Sequence, residues 1–336
     1  LGKKRILTMF AIICIVFLIL SPTVLLPETW KQMGLFAGGK RVVHDGYEFM
    51  NKLYTQRFTD WLNGIPWYFY HAFLVVKLPV LTVVGFLIGL PLLFLRKLGD
   101  GRYFILFWLF VWVMSFMWAG GKFTRYFTVA LPAVLITAAI GIQFVGRWLG
   151  NWLQAAFGSN GIAVYARSSL AALVVLVSLV ATINATPHFR LYTNTFGGGM
   201  ARAGFYFPHD EFYDASMRDA IFETAGRARP GARVSSESPL LAAYYAERVN
   251  RKDLVCVSLS DPEGLGQLQE GDFIIDARGR RYFSNDALLL ELRRTVSPAF
   301  TVSLGGTRSA DVYQIDAAVL QVLKNHIANL STRVRR

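Results

Sequence analysis

The chain has 336 residues, of which 54% are hydrophobic, and its mean hydropathy is +0.38. This composition is more apolar than that of a typical soluble globular protein. Most of the net charge of +13 lies in the first 187 residues, which hold 16 basic and 5 acidic side chains. Because this charge accompanies apolar segments, we expect it to contact lipid phosphates, and we expect no nucleic acid as a partner.

The first 187 residues predict a polytopic α-helical membrane domain. A transmembrane helix needs roughly 20 apolar residues, and we assign about five such helices to residues 6–26, 67–95, 103–118, 126–145 and 170–185. Residues 28–66 predict an outer interfacial loop with amphipathic pieces. An odd number of crossings places the two termini on opposite sides, while the basic loop residues are nearly balanced between the sides and do not fix the orientation.

Residues 188–336 predict a small soluble α/β domain, because helical and strand patterns alternate there. The predicted helices cover residues 214–228, 239–246, 286–294 and 317–330, and the predicted strands cover residues 232–235, 254–259, 272–276, 300–304 and 311–315. No glycine-rich phosphate-binding fingerprint follows a strand, so we expect no nucleotide cofactor. Cys14 and Cys256 lie in different regions and predict no disulfide.

Three segments resemble landmarks of a known group of enzymes. They are GIPWYFYHAFLVVKLPV at residues 64–80, GKFTRYFTVALPAV at 121–134, and HFRLYTNTFGGG at 188–199, which FPHDEFYD follows. In this order, and at predicted helix ends, they are similar to segments of the GT-C superfamily of membrane glycosyltransferases, family 39 type. That group includes protein O-mannosyltransferases and lipid A aminoarabinose transferases. Phe123 and Thr124 depart from its pattern, in which His and Pro are common.

The resemblance implies an inverting glycosyltransferase that moves a hexose or pentose from a polyprenyl-phosphate-linked donor to an acceptor lipid, glycan or protein. It implies a location in the cytoplasmic (inner) membrane, with an extracytoplasmic C-terminal domain. The family carries its catalytic acidic residue in a first extracytoplasmic loop that we do not find in this sequence. Because the chain begins with Leu1, we expect the C-terminal part of such an enzyme. No cofactor is implied, and a need for a divalent metal is left open.

Three basic residues are candidates for binding the donor phosphate. Lys122 and Arg125 lie in a short loop at a predicted helix start, where the helix dipole adds positive potential; ordinary contact with lipid headgroups is the alternative. Lys77 lies inside a predicted span. A lysine there either faces a cavity and pairs with the carrier phosphate, or it snorkels or pairs within the helical bundle.

Other polar residues have weaker functional signals. His44 and Asp45 could orient or deprotonate an acceptor hydroxyl, but a solvated surface is the simpler explanation. Tyr192 and Asn194 follow the last predicted helix and lie either near the site or in a flexible linker. By composition alone, His209, Asp210, Asp214 and Asp219 are metal or acid/base candidates. Acidic residues at a helix start are a sufficient explanation for Asp210, Glu211 and Asp214, and we predict no metal site.

A function from another class fits the same elements. The chain could be a non-catalytic, membrane-anchored binding protein or a permease, whose soluble domain binds a partner. Further spans and an acidic loop upstream of Leu1 would favour the enzyme over this alternative.

Overall fold

The computed structural model describes residues 3–37, 45–158 and 160–334. The chain forms two compact units, Leu1–His44 and Asp45–Arg336. In the first unit, α1 (Lys3–Leu20) is followed by a short 3-10 helix (Pro22–Leu25) and by α2 (Pro27–Ala37). Side chains of α2 fix the intervening turn, because Thr29 Oγ1 donates to Thr23 O at 2.6 Å and Trp30 Nε1 donates to Val24 O at 2.8 Å.

The second unit begins with an antiparallel hairpin of β1 (Gly46–Phe49) and β2 (Lys52–Thr55). Met50 and Asn51 form its turn with φ values of 50° and 60°, as a two-residue hairpin with the favoured twist requires. The backbone N–H of Gly46 donates to Arg281 O at 3.2 Å. The hairpin, which falls in the predicted interfacial loop, therefore contacts the C-terminal α/β region.

Five helices follow the hairpin, and a proline divides the first two. They are α3 (Phe69–Lys77), α4 (Val80–Leu92), α5 (Gly101–Met117), α6 (Leu131–Phe157) and α7 (Asn160–Asn184). Leu78 has an extended backbone (ψ 153°) because the ring of Pro79 disfavours a helical conformation in the preceding residue. A 3-10 helix (Thr124–Val129) leads into α6.

The prediction of a polytopic membrane domain with about five transmembrane helices is wrong. Among the described residues, two helices are long and apolar enough to cross a membrane, Leu131–Phe157 and Gly161–Asn184, which indicates membrane association. The apolar run at 67–95 is not one helix, since Pro79 breaks it. Its longer part, Val80–Leu92, has 13 residues, or about 20 Å of helix against a hydrocarbon core of about 30 Å. The mean hydropathy of a segment does not reveal a break in the helix, and for this reason the sequence predicted one span at 67–95.

Glycines allow α4 and α6 to approach closely. Gly85 and Gly89 on α4 face Thr137, Ala138 and Gly141 on α6, and all five residues are buried. A methyl group added at Gly89 would overlap the carbonyl oxygen of Thr137, and one added at Gly141 would overlap that of Gly85. This small-residue interface has the spacing typical of close helix pairs in membranes.

The C-terminal region combines six helices with a five-stranded mixed sheet. The helices are α8 (Pro208–Phe212), α9 (Met217–Arg227), α10 (Pro239–Arg248), α11 (Pro262–Gly266), α12 (Phe283–Thr295) and α13 (Ala317–Val334). The strands are β3 (Arg233–Ser236), β4 (Val255–Ser258), β5 (Phe273–Ala277), β6 (Phe300–Leu304) and β7 (Thr307–Gln314). Three short 3-10 helices between residues 189 and 202 connect α7 to α8.

The strand order is β4-β3-β5-β7-β6. β3 pairs in parallel with β4 and β5, and β7 pairs antiparallel with β5 and β6. Helical crossovers connect the parallel strands, as parallel pairing requires. Apolar clusters cover both faces of β5, with Phe273 and Ile275 on one face and Ile274 on the other. The sheet is therefore the core of a layered α/β structure.

The α4–α6 interface generates a stability prediction. Gly141→Ala forces the two helices apart and should lower the free energy of unfolding by about 1 to 3 kcal/mol. Gly101→Ala is the matched control, because Gly101 is helical and has open space where its Cβ would lie. Thermal unfolding of the full chain in lipid nanodiscs gives the unfolding midpoint of both variants. Equal midpoints for Gly141→Ala and wild type would refute the close contact between α4 and α6.

Candidate functional site

A cavity of about 400 Å³ lies where the helical and α/β parts of the second unit meet. Its wall combines charged side chains with aromatic rings. The lining residues are Phe73, Lys77, Thr124, Arg125, Phe189, Arg190, Tyr192, Phe207, Asp210, Glu211 and Tyr213. A cavity of this size with a few convergent polar groups is typical of a small-molecule or headgroup site.

A buried ion pair joins the end of α3 to α8. Lys77 Nζ pairs with Glu211 Oε1, and only 7% and 2% of the two side chains is exposed. Lys77 Nζ also donates to Tyr192 O at 2.7 Å and to Arg190 O at 3.1 Å. Burial raises the pKa of the Glu211 carboxyl, although the ammonium of Lys77 opposes this shift. Lys77 thus lines the cavity and pairs within the protein, and its contact with a carrier phosphate stays a prediction.

Asp210 lies in the cavity wall and contacts three polar partners. Its Oδ2 accepts hydrogen bonds from Tyr47 Oη and from the backbone N–H of Thr124, each at 2.7 Å, and its Oδ1 lies 3.3 Å from His209 Nδ1. Burial by itself raises the pKa of Asp210, but these three partners together lower it below its ordinary value. The carboxylate is therefore ionised and holds Thr124, and with it the neighbouring Arg125, at the cavity.

Two guanidinium groups at the cavity are exposed and have no carboxylate partner in the part of the chain that the structure describes. They belong to Arg125 and Arg190. The guanidinium carbon of Arg125 lies 4.0 Å from the ring centroid of Phe123, a stacking contact that leaves its N–H groups available. Arg190 follows α7 in a 3-10 helix (Phe189–Leu191). The two groups can bind an anion without displacing a protein partner.

Tyr192 and Asn194 have different positions in this site. Tyr192 lines the cavity, whereas Asn194 is buried below it. Asn194 Nδ2 donates to Val75 O and Leu78 O, both at 2.6 Å. These carbonyls at the end of α3 lack helical partners because Pro79 stops the helix. Asn194 thus caps α3 and positions Lys77.

The structure does not bring Lys122 to the cavity. Lys122 is 1% exposed, and its Nζ donates to Ile65 O at 2.6 Å and to Ala119 O. Burial lowers the pKa of Lys122 to about 8. Its ammonium is bound to two loop carbonyls, so the site holds Lys77 and Arg125 of the three predicted basic residues.

Of the two predicted acid–base candidates, the structure describes only Asp45. His44 lies outside the described residues. Asp45 Oδ1 accepts a hydrogen bond from the backbone N–H of Phe283 at 3.1 Å and does not line the cavity. Sequence reasoning missed Arg190, and it explained both Asp210 and Glu211 as helix-start acids. The available signal was the adjacent pair of acids, Asp210 and Glu211, shortly after Pro208. Only the fold shows that Glu211 faces Lys77 and that Asp210 faces Tyr47.

The comparisons with known proteins add no relative. No family model matches the sequence, and neither a curated protein nor a solved structure matches it. The resemblance to GT-C glycosyltransferases therefore stays a prediction. Within the described ranges, no group of three or more His, Cys, Asp or Glu side chains is arranged to hold a metal ion.

The Lys77–Glu211 pair can be tested with a double-mutant cycle. Lys77→Met or Glu211→Gln alone leaves one buried group without its partner and should lower the free energy of unfolding by about 3 to 5 kcal/mol. The double variant removes both charges and should recover most of that loss. Denaturant unfolding of all four proteins gives the coupling energy, and strictly additive losses would show that the two groups do not interact.

Proposed function

We propose that this chain is part of a glycosyltransferase whose donor is a polyprenyl-phosphate-linked sugar, and that the cavity binds the donor phosphate. The observation that carries the proposal is the presence of two unpaired guanidinium groups, Arg125 and Arg190, at one cavity. Arginine binds phosphate oxygens through two parallel N–H groups, so two such side chains match a phosphodiester.

The surroundings of the cavity support a lipid-linked ligand. A smaller cavity of about 210 Å³ shares Lys77, Phe189 and Tyr192 with the first and continues along Ser178, Ala181, Thr182 and Ala185. These residues belong to or directly follow α7, one of the two helices that are long enough to cross a membrane. A phosphate in the larger cavity would therefore have an apolar path for its carrier chain. We propose that the site faces the extracytoplasmic side of the cytoplasmic membrane.

The proposed chemistry assigns charge stabilisation to these residues. An acceptor hydroxyl attacks the anomeric carbon, the new C–O bond forms as the bond to the phosphate oxygen breaks, and the hydroxyl proton passes to a base. Arg125 and Arg190 stabilise the negative charge of the departing phosphate. We assign the base to neither cavity carboxylate, because Asp210 accepts hydrogen bonds and Glu211 is ion-paired.

Substitution of the two arginines tests this proposal. Arg125→Ala and Arg190→Ala each remove a charge-assisted contact and should weaken donor use roughly ten- to hundredfold. Arg125→Lys keeps the charge but loses the bidentate geometry and should recover only part of the loss. The measurement is turnover against donor concentration in the full-length protein, with thermal stability checked for each variant.

Arg57→Ala is the matched control, since Arg57 is exposed in the same unit and does not line the cavity. Unchanged donor kinetics in Arg125→Ala and Arg190→Ala would contradict the phosphate site. Donor binding that depends on these arginines, without sugar transfer by the full-length protein, would instead favour the non-catalytic binding protein or permease.

A further inference from the structure

Different side chains of α3 line two different cavities. Phe73 and Lys77, one helical turn apart, line the cavity described above. Tyr70, His71 and Leu74 of the same helix line an apolar pocket of about 310 Å³. The two cavities share none of these residues, so a ligand in one does not need the α3 residues of the other.

The apolar pocket lies among α3, α4, α5 and the start of α6. Phe86, Leu106, Leu109 and Val134 are among its lining residues, and no Lys, Arg, Asp or Glu of the described ranges lines it. Val134 lies in the first turns of α6, one of the two helices long enough to cross a membrane. A pocket of this composition at such a helix suits an alkyl chain.

An open cleft of about 560 Å³ adjoins this pocket, because Trp67 and Met117 line both. The cleft combines aromatic rings with polar groups. Tyr54, Trp67, Trp118 and Phe283 supply the rings, and Lys52 and Asn63 supply side-chain donors. Trp67 and Trp118 are 55% and 40% exposed, so both rings are accessible to a ligand.

We propose that this cleft binds the saccharide headgroup of an amphiphile whose alkyl chain occupies the adjoining apolar pocket. The rings of Trp67 and Trp118 would cover the apolar C–H face of a sugar ring, and Lys52 and Asn63 would bond its hydroxyls. Lys52 already lies 5.1 Å from the centroid of the Tyr54 ring, so its ammonium is held beside the aromatic surface.

The charge of the cleft separates this ligand from the phosphate-bearing donor. Among the described residues, Lys52 is the one charged side chain that lines the cleft, and no arginine lines it. A single ammonium beside aromatic rings can bond sugar hydroxyls, whereas the first cavity has two guanidinium groups for a phosphate. The inference goes beyond the proposed function, because different cavities carry it and it requires no sugar transfer.

The experiment compares three probes on the full chain in phosphatidylcholine nanodiscs. They are n-octyl β-D-glucoside below its micellar concentration, glucose, and octanol, measured by equilibrium dialysis with empty nanodiscs subtracted. Octyl glucoside should bind about tenfold more tightly, or better, than glucose or octanol, because it occupies both the cleft and the apolar pocket. Octanol binding as tightly as octyl glucoside would show an ordinary lipid-chain pocket and would overturn the proposal.

Two variants assign the binding to the cleft and the pocket. Trp118→Ala should weaken octyl glucoside binding roughly tenfold. Leu106→Trp should fill the apolar pocket, so that octyl glucoside binds no more tightly than glucose. Trp61→Ala is the matched control, because Trp61 is 54% exposed and does not line the cleft. Phe283→Ala replaces Trp118→Ala if that variant fails to fold. Equal affinities in the cleft variant and in Trp61→Ala would overturn the proposal.

Discussion

Two adjacent carboxylates, those of the partly buried Asp210 and the buried Glu211, connect several segments of the larger unit. Glu211 pairs with Lys77 at the end of α3, while Asp210 accepts hydrogen bonds from Tyr47 on β1 and from the N–H of Thr124. Removing an ionised carboxylate from water costs several kcal/mol unless partners replace the water. The partners must therefore stay in place, and this requirement fixes α3, the hairpin and the entrance to α6 relative to α8.

The positions of the cavities follow from this junction. Pro79 ends α3 directly after Lys77, which lines the first cavity, and Asn194 binds the carbonyl groups that the break leaves free. Because α3 is short and held at its end, its side chains line two different cavities. Lys77 lines the first together with two guanidinium groups that have no carboxylate partner among the described residues, whereas other side chains of α3 line the apolar pocket. A nine-residue helix thus contributes to both a charged and an apolar cavity.

Local sequence patterns predicted individual elements better than their arrangement. The strand predicted at 272–276 differs by one residue from β5 (Phe273–Ala277), because a short apolar run between turn residues is a local signal. The predicted span at 67–95 missed the break at Pro79, since its hydropathy is high on both sides of the proline. For this reason, the sequence predicted more transmembrane helices than the described residues contain.

The candidate site shows the same limit. Basic residues at a helix entrance are visible in the sequence, but their partners are not. Lys122 and Arg125 are three residues apart, yet Lys122 binds the carbonyls of Ile65 and Ala119 while Arg125 faces the cavity. Glu211 lies 134 positions after Lys77 by residue number, and no local pattern predicts such a pair. Only the tertiary fold distinguishes a structural lysine from a cavity lysine.

The most direct test of the central claim compares two ligands that differ only in a phosphate group. Farnesyl phosphate and farnesol are titrated against the full chain in phosphatidylcholine nanodiscs at low and high salt, with empty nanodiscs subtracted. If the cavity binds phosphate, farnesyl phosphate binds at least about tenfold more tightly, and its advantage decreases as salt screens the exposed guanidinium groups. Equal affinities for the two ligands at low salt would contradict the account.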